Sequence, residues 1–259
     1  ADFALDVNGF VSGDSDVVAI APARYLETRT GANRTTFDGL FQGVGPIGAE
    51  QVLELQIAGR GDVPADAQAV LLNVTAIAPA AAGYFTLFPC TPEVPLASTL
   101  NYIAGAVVPN GAIAELSDEG TLCIFSKAAS DVIVDVTGYV PAGVEGLETF
   151  TPHRLLDTRE GIGRVAAGGV IEVQVVGIAD VPADATAAIL NIVAVEPDGP
   201  GYATLYPCGE RPHVSNVNYP EAGVVVANNA VTKLSDSGTV CIFTLAESDL
   251  VLDVAGYLK

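Results

Sequence analysis

His153 and His213 are the residues from which a hydrolytic centre would have to be built, because the sequence contains no other histidine. A Ser–His–acid mechanism needs an imidazole next to a nucleophile and a carboxylate. No GxSxG sequence accompanies either histidine, and the first half of the chain has Ala23 where the second half has His153. We therefore predict that the chain is not an enzyme.

Carboxylates are abundant, with 31 Asp and Glu against 11 Lys and Arg, so two neighbouring acids are weak evidence for glycoside hydrolysis. Aspartates that interrupt apolar, strand-like runs are more informative, because a carboxylate there needs a donor. Arginines lie in a nearby segment and can bind a carboxylate through two parallel hydrogen bonds. We predict a structural Arg–Asp clasp in each half, with Arg24, Arg29, Asp135, Arg154, Arg159 and Asp253 as its candidate members.

The four cysteines form two pairs with the same separation in sequence. The simplest pairing is one disulfide in each half, Cys90 with Cys123 and Cys208 with Cys241, although sequence alone leaves the connectivity open. Zinc is a poorer explanation because no CxxC pair is present. Disulfides persist in oxidising compartments, so we expect an extracellular or cell-surface protein.

Aromatic side chains could stack on sugar rings and so bind a polysaccharide. The candidates for a glycan or partner contact are Phe37, Phe41, Tyr84 and Tyr202. Core or sheet-packing roles explain the tyrosines equally well. Asp- and Gly-rich turns could supply oxygen ligands for calcium, but none has the spacing of a known calcium loop. We predict no metal and no cofactor.

One nine-residue phrase occurs three times, as DFALDVNGF at residues 2–10, DVIVDVTGY at 131–139 and DLVLDVAGY at 249–257. Every second residue is apolar, which predicts a β-strand with one buried face. The rest of the chain is duplicated only once; for example, VPAD at 63–66 recurs at 181–184. The chain therefore contains one strand more than two domains need.

Short apolar runs separated by Gly-, Pro- and Asp-rich turns predict strands throughout, with no helical window. The predicted fold is all-β: two tandem antiparallel β-sandwich domains, jelly-roll or immunoglobulin-like, plus a surplus terminal strand, with a barrel as the alternative. The predicted boundaries are a surplus strand at 1–11, a first repeat at 12–140 with an insertion at 32–43, a linker at 141–149 and a second repeat at 150–259.

Several phrases in fixed order resemble a repeat of secreted and cell-surface proteins of actinobacteria and some other bacteria. They are RLLDTR at 154–159 with a weaker RYLETR at 24–29, VPADA, LNVTA at 72–76, GYATLYPC at 201–208, LNY at 100–102 and the DVxGY motif. The resemblance implies non-catalytic extracellular modules and carries no settled activity.

The surplus strand suggests self-association, because a preformed strand can add to the sheet edge of a neighbouring subunit. Repeated head to tail, that contact would build an open filament. The alternative is that the strand folds back and covers an edge of its own chain. The candidate interface residues are Phe3, Leu5, Asp6, Val7 and Phe10.

The net charge of −20 argues against nucleic acid and anionic membrane surfaces as partners, since both require a basic footprint. No stretch predicts a transmembrane helix. We expect a mature secreted product or a piece of a longer chain. The predicted function is that of a structural or adhesive surface protein whose main partner is itself, with a carbohydrate-binding module as the alternative.

Overall fold

The computed structural model describes residues 16–259, so the predicted surplus strand lies outside the described residues. The first unit contains eight strands: β1 (Val18–Glu27), β2 (Gln51–Gln56), β3 (Ala69–Ile77), β4 (Gly83–Pro89), β5 (Leu100–Tyr102), β6 (Val107–Glu115), β7 (Thr121–Ser126) and β8 (Asp131–Val140). The second unit repeats them as β9 (Leu147–Asp157), β10 (Val170–Gln174), β11 (Ala187–Val195), β12 (Gly201–Pro207), β13 (Val217–Tyr219), β14 (Val225–Lys233), β15 (Thr239–Thr244) and β16 (Asp249–Leu258).

Each unit is a sandwich of two four-stranded antiparallel sheets. In the first unit the strand orders are β1-β8-β3-β6 and β2-β7-β4-β5, and in the second they are β9-β16-β11-β14 and β10-β15-β12-β13. We call the sheet that contains the DVxGY strand the major sheet of its unit. The predicted all-β tandem fold is confirmed. Within the described residues, the only helical element is a 3-10 turn at Thr158–Glu160, and no helix could span a membrane.

The core of each unit lies between its two sheets and follows from alternation along the strands. In β3, Val70, Leu72 and Val74 are buried against the facing sheet, whereas the intervening Asn73 and Thr75 are half-buried on the outer face. Burying one face of a pleated sheet requires this period of two. The long apolar runs of the sequence therefore occupy the middle of each major sheet.

The DVxGY phrase forms β8 and β16, which lie inside their major sheets between the first and third strands of the unit. Its glycine is needed because the first strand comes very close: a Cβ at Gly138 would lie 2.8 Å from the carbonyl oxygen of Val18. The phrase thus completes the unit that precedes it. Both described units already hold their own copy at this position, and strand exchange by residues 2–10 stays a prediction.

The segment that joins the two units is short. Strand β9 begins at Leu147, so the last three residues of the predicted linker belong to the second unit.

The insertion at 32–43 lies along the edge of β1, where Phe37 N–H donates to the Arg24 carbonyl at 3.1 Å and Glu27 N–H donates to the Phe41 carbonyl at 3.1 Å. It therefore covers an edge strand that would otherwise be open to pairing.

Candidate functional site at the junction of the units

An Arg–Asp clasp is present on the outer face of each major sheet. Arg24 donates from Nε and Nη2 to the two carboxylate oxygens of Asp135, at 2.9 and 3.3 Å. Arg154 contacts Asp253 in the same bidentate way. In both units the clasp ties the first strand to the DVxGY strand.

The other two predicted clasp arginines bind different acids. Arg29 donates to Glu27 and Arg159 donates to Asp157, in each case through Nε and Nη2. The side chain of Glu27 is fully buried; burial raises its pKa, but the hydrogen bonds and charge of Arg29 outweigh burial and leave the pKa below its usual value. The acidic residue at the second position of each LETR or LDTR phrase is thus a member of the site that the predicted clasp does not include.

Four residues line up across each major sheet because they are register partners on neighbouring strands. In the second unit this polar row is Arg154, Asp253, Asn191 and Asn229. In the first unit the same positions hold Arg24, Asp135, Asn73 and Gly111. The two rows are equivalent except that glycine replaces Asn229.

A second polar group lies at the open edge of each sandwich, where the fifth and sixth strands meet. In the first unit this edge cluster is Ser98, Thr99 and Asn110, and the Asn110 amide donates to the Thr99 carbonyl. The second unit has the corresponding cluster of Ser215, Asn216 and Asn228, in which the Asn228 amide donates to the Asn216 carbonyl at 2.7 Å.

The edge cluster of the first unit docks on the polar row of the second. Ser98 N–H donates to Asp253 Oδ2 at 2.9 Å, and Asn191 Nδ2 donates to the Ser98 carbonyl at 2.5 Å. Asn110 Nδ2 contacts Asn191 Oδ1 at 3.3 Å, and Asn229 N–H donates to Asn110 Oδ1 at 3.1 Å. Every hydrogen bond in this set joins one unit to the other.

Docking buries the charged centre of the row. The side chain of Asp253 is 2% exposed, whereas that of its counterpart Asp135 is 30% exposed. Burial raises the pKa of Asp253, and the hydrogen bonds from Arg154 and the Ser98 N–H oppose that rise. A buried carboxylate is tolerated only when such donors are in place. The junction is therefore a specific contact.

Apolar residues flank the polar junction on both sides. One cluster comprises Val193, Val195, Val225, Ala227 and Val251 on the outer face of the second major sheet. The other cluster joins the two units through Ala69, Val140, Leu147 and Ile189. Because outward-facing valines are buried here, this sheet face behaves as an interface and not as a solvated surface.

A cleft of about 420 Å³ opens beside the junction. Its polar lining includes Tyr84, Asn101, Lys127, Arg154 and Arg159. Tyr84 is thus the predicted aromatic residue that lies next to basic and amide side chains. Such a lining can donate hydrogen bonds to hydroxyl or carboxylate groups of a ligand.

The other predicted aromatic contacts lie elsewhere. Tyr202 packs on Phe243, with ring centroids 5.7 Å apart. Phe37 and Phe41 surround the guanidinium of Arg60, whose carbon lies 5.4 and 5.1 Å from their ring centroids. These two phenylalanines therefore anchor the insertion to the first unit, and the four candidate aromatics do not form one surface.

Arg60 also binds Asp38 of the insertion through Nε and Nη2, both at 2.9 Å. The second unit has neither the insertion nor the arginine. When the two VPAD sequences are aligned, Ile178 stands at the position of Arg60. The coincidence of these two differences is a sequence signal that could have identified this anchor.

The remaining candidates have simple placements. The structure pairs Cys90 with Cys123 and Cys208 with Cys241, with Cα–Cα distances of 5.0 and 4.9 Å. His153 and His213 are exposed. Across residues 16–259, no three His, Cys, Asp or Glu side chains are grouped so that they could hold a metal ion.

No family model matches the chain, and no curated protein matches it. Among solved structures, the chain is similar to the tandem CBM22-1–CBM22-2 domain of Xyn10C from Paenibacillus barcinonensis, with 10% sequence identity and a TM-score of 0.25. That match covers 93% of this chain and 100% of the other. At this TM-score the similarity supports no argument about function.

Proposed function

We propose that this chain is a secreted, non-enzymatic structural or adhesive surface protein whose two sandwich units act as one rigid body. The observation that carries the proposal is the docking of Ser98 and Asn110 on the row of Asp253 and Asn191. If the units moved independently, the carboxylate of Asp253 would be exposed to water and the donors that bridge the junction would lose their partners.

Relative motion is the default for neighbouring domains unless their interface is specific. Here a six-residue segment, 141–146, separates β8 from β9, and backbone and side-chain hydrogen bonds fix the relative orientation of the units. One disulfide in each unit adds resistance to unfolding in an oxidising environment. These features suit a protein that bears load or displays a surface.

The test is to uncouple the units. The double variant Asn110→Ala/Asn191→Ala removes the side chains that bridge the junction, and we expect a larger radius of gyration in small-angle scattering with both sandwiches still folded. Asn73→Ala is the matched control, because Asn73 is the counterpart of Asn191 in the first unit. An unchanged scattering profile in the double variant would refute the rigid-body proposal.

Carbohydrate binding is the second candidate function, and the cleft beside the junction favours it. Tyr84 offers a ring for stacking, and Asn101, Lys127 and Arg159 offer donors for sugar hydroxyl or carboxylate groups. Titration with soluble acidic and neutral polysaccharides should show binding that Tyr84→Ala weakens and Tyr202→Ala does not. Equal loss in both variants, or no binding, would remove this candidate.

A further inference from the structure

The two described units carry two edge clusters and two polar rows, and the internal junction uses one of each. The first unit contributes its edge cluster and the second its polar row. The second unit has an edge cluster of its own, and the first unit has a row of its own. These two remaining surfaces correspond residue by residue to the two that are joined.

The edge cluster of the second unit is already arranged for the same contact. Asn228 is held by the Asn216 carbonyl at 2.7 Å, just as Asn110 is held by the carbonyl of Thr99. Asn110 is 3% exposed in the junction, whereas Asn228 is exposed. The donor and acceptor of its amide are thus presented at a surface of the molecule.

The polar row of the first unit is likewise complete and accessible. Arg24 holds the partly exposed Asp135 by two hydrogen bonds, as Arg154 holds Asp253. Gly111 retains the required donor, because the contact made by Asn229 uses its backbone N–H and both residues have the same register partner position. The replacement of asparagine by glycine therefore removes nothing that the contact needs.

We propose that a second copy of this chain docks its second-unit edge cluster, Ser215, Asn216 and Asn228, on the first-unit polar row of Arg24, Asp135, Asn73 and Gly111. The contact between molecules would repeat the junction within one molecule, so the inference rests on the proposed function of that junction. Since the two surfaces differ and lie on different units, the association is heterologous and continues as an open linear assembly.

The contact between molecules is more polar than the internal one. Thr75 occupies the position of Val193, and the exposed Pro109 occupies that of the buried Ala227. No linker raises the effective concentration of the second copy either. We therefore expect assembly that depends on protein concentration, with monomers at the low end and chains of increasing mass at the high end.

Two variants block one surface each. Asn228→Ala removes the amide of the edge cluster. Gly111→Trp obstructs the row, and a Cβ at this position meets no atom of the described residues within 4 Å. Gly111→Asn is the matched control, because asparagine stands at the equivalent position 229 in the joined row. Circular dichroism of each variant confirms folding before association is measured.

Sedimentation velocity from micromolar to millimolar concentration gives the result. Wild type and Gly111→Asn should assemble, whereas Asn228→Ala and Gly111→Trp should each associate about tenfold to a hundredfold more weakly. A mixture of the two blocked variants should form a dimer and stop there, because each retains the surface that the other has lost. Isologous association would not produce this complementation.

Three outcomes would overturn the inference: wild type that stays monomeric at every concentration, blocked variants that assemble like wild type, or a mixture that gains no mass. Assembly that appears only after removal of residues 1–11 would also overturn it, since the face would then be covered within the intact chain. The scattering test of Asn110→Ala/Asn191→Ala is independent. If the units uncouple there and wild type is nevertheless monomeric, the internal junction stands and only the inference fails.

Discussion

The backbone N–H of Ser98 in the first unit donates to the Oδ2 atom of Asp253 in the second, at 2.9 Å. Arg154 binds the same carboxylate from within the second unit. Asp253 is thus satisfied partly by its own unit and partly by the neighbouring one. Folding of the second clasp and docking of the units are consequently coupled, whereas within residues 16–259 no residue of the second unit binds the first clasp.

Removing the arginine of each clasp should have unequal effects. Arg154→Ala leaves Asp253 buried without its bidentate partner, and breaking a buried pair costs about 3 kcal/mol or more. Arg24→Ala leaves the partly exposed Asp135 in reach of water, so we expect a loss of about 1 kcal/mol or less. Denaturant titration of both variants measures the difference in the free energy of unfolding.

The comparison between Arg24→Ala and Arg154→Ala is its own control, because the two arginines make the same contacts within their units. Equal destabilisation by the two substitutions would mean that burial at the junction contributes nothing. Arg154→Lys keeps the charge but loses the planar guanidinium. We expect its free energy of unfolding to lie between those of wild type and Arg154→Ala.

Two kinds of feature could be predicted from the sequence: strands, from the alternation of apolar residues, and elements that occur in both halves of the chain. Alternation in the DVxGY phrase gives a strand with one buried face, and the cysteine spacing repeated in both halves gives the disulfides that the structure contains. Asp135 and Asp253 stood out because a charge within an apolar strand needs a partner. In each case the signal lies in a single segment or in a comparison of two segments.

The junction could not be predicted because its parts are far apart in sequence and look ordinary. Ser98 acts through its backbone, so its side chain carries no information about the contact. Asn110 is one asparagine in an unremarkable strand, and only the fold brings it next to Asn191. The burial of Asp135 and Asp253 differs because only the second unit receives the edge cluster of a preceding unit. The two strands have similar sequences, so this difference could not be predicted from them.

The disulfide of each unit should stabilise mainly that unit. Closing a loop with a sequence separation of 33 contributes about 3–4 kcal/mol in the chain-entropy model. The variant Cys90→Ser/Cys123→Ser should therefore lower the unfolding midpoint of the first unit most, and that of the second only through the junction contacts that it loses when the first unit unfolds. Calorimetry of this variant and of Cys208→Ser/Cys241→Ser measures both midpoints, and an equal fall in both units would contradict a mainly local effect of each disulfide.

Arg60 should matter more for the insertion than for the sandwich, to which its guanidinium donates only at the carbonyls of Tyr25 and Gln56. Arg60→Ile introduces the residue of the second unit, removes the pair with Asp38 and leaves Phe37 and Phe41 without the guanidinium between them. We expect faster amide hydrogen exchange confined to residues 32–43, with protection of β3 and β8 unchanged. The cation–π contacts and the pair together explain this effect.

The control for Arg60 is Arg34→Ala, since Arg34 lies in the same insertion and its guanidinium, among the described residues, donates only to the Thr30 carbonyl at an exposed site. Hydrogen exchange in this control should match wild type. Loss of protection throughout the first unit in Arg60→Ile would contradict a local anchoring role.

The junction also contains a titratable group that should make stability depend on pH. Glu115, the last residue of β6, has its pKa raised to about 7 by burial and by the charges of Asp118, Asp180 and Glu148. Between its unfolded value near 4.5 and about 7, the folded chain binds more protons at this site than the unfolded chain does. The stabilising contribution is therefore complete below pH 4.5 and is lost as pH rises through about 7.

The size of this effect is modest because the Glu115 side chain is half-buried and solvent screens it. The shift would correspond to about 3 kcal/mol without screening, and we expect about 1–2 kcal/mol in practice. Glu115→Gln should abolish this part of the pH dependence, so the difference in unfolding free energy between variant and wild type should grow from pH 5 to pH 8 in favour of the variant. Measuring that difference cancels the titration of the other carboxylates, and a difference that does not change with pH would exclude Glu115 as its source.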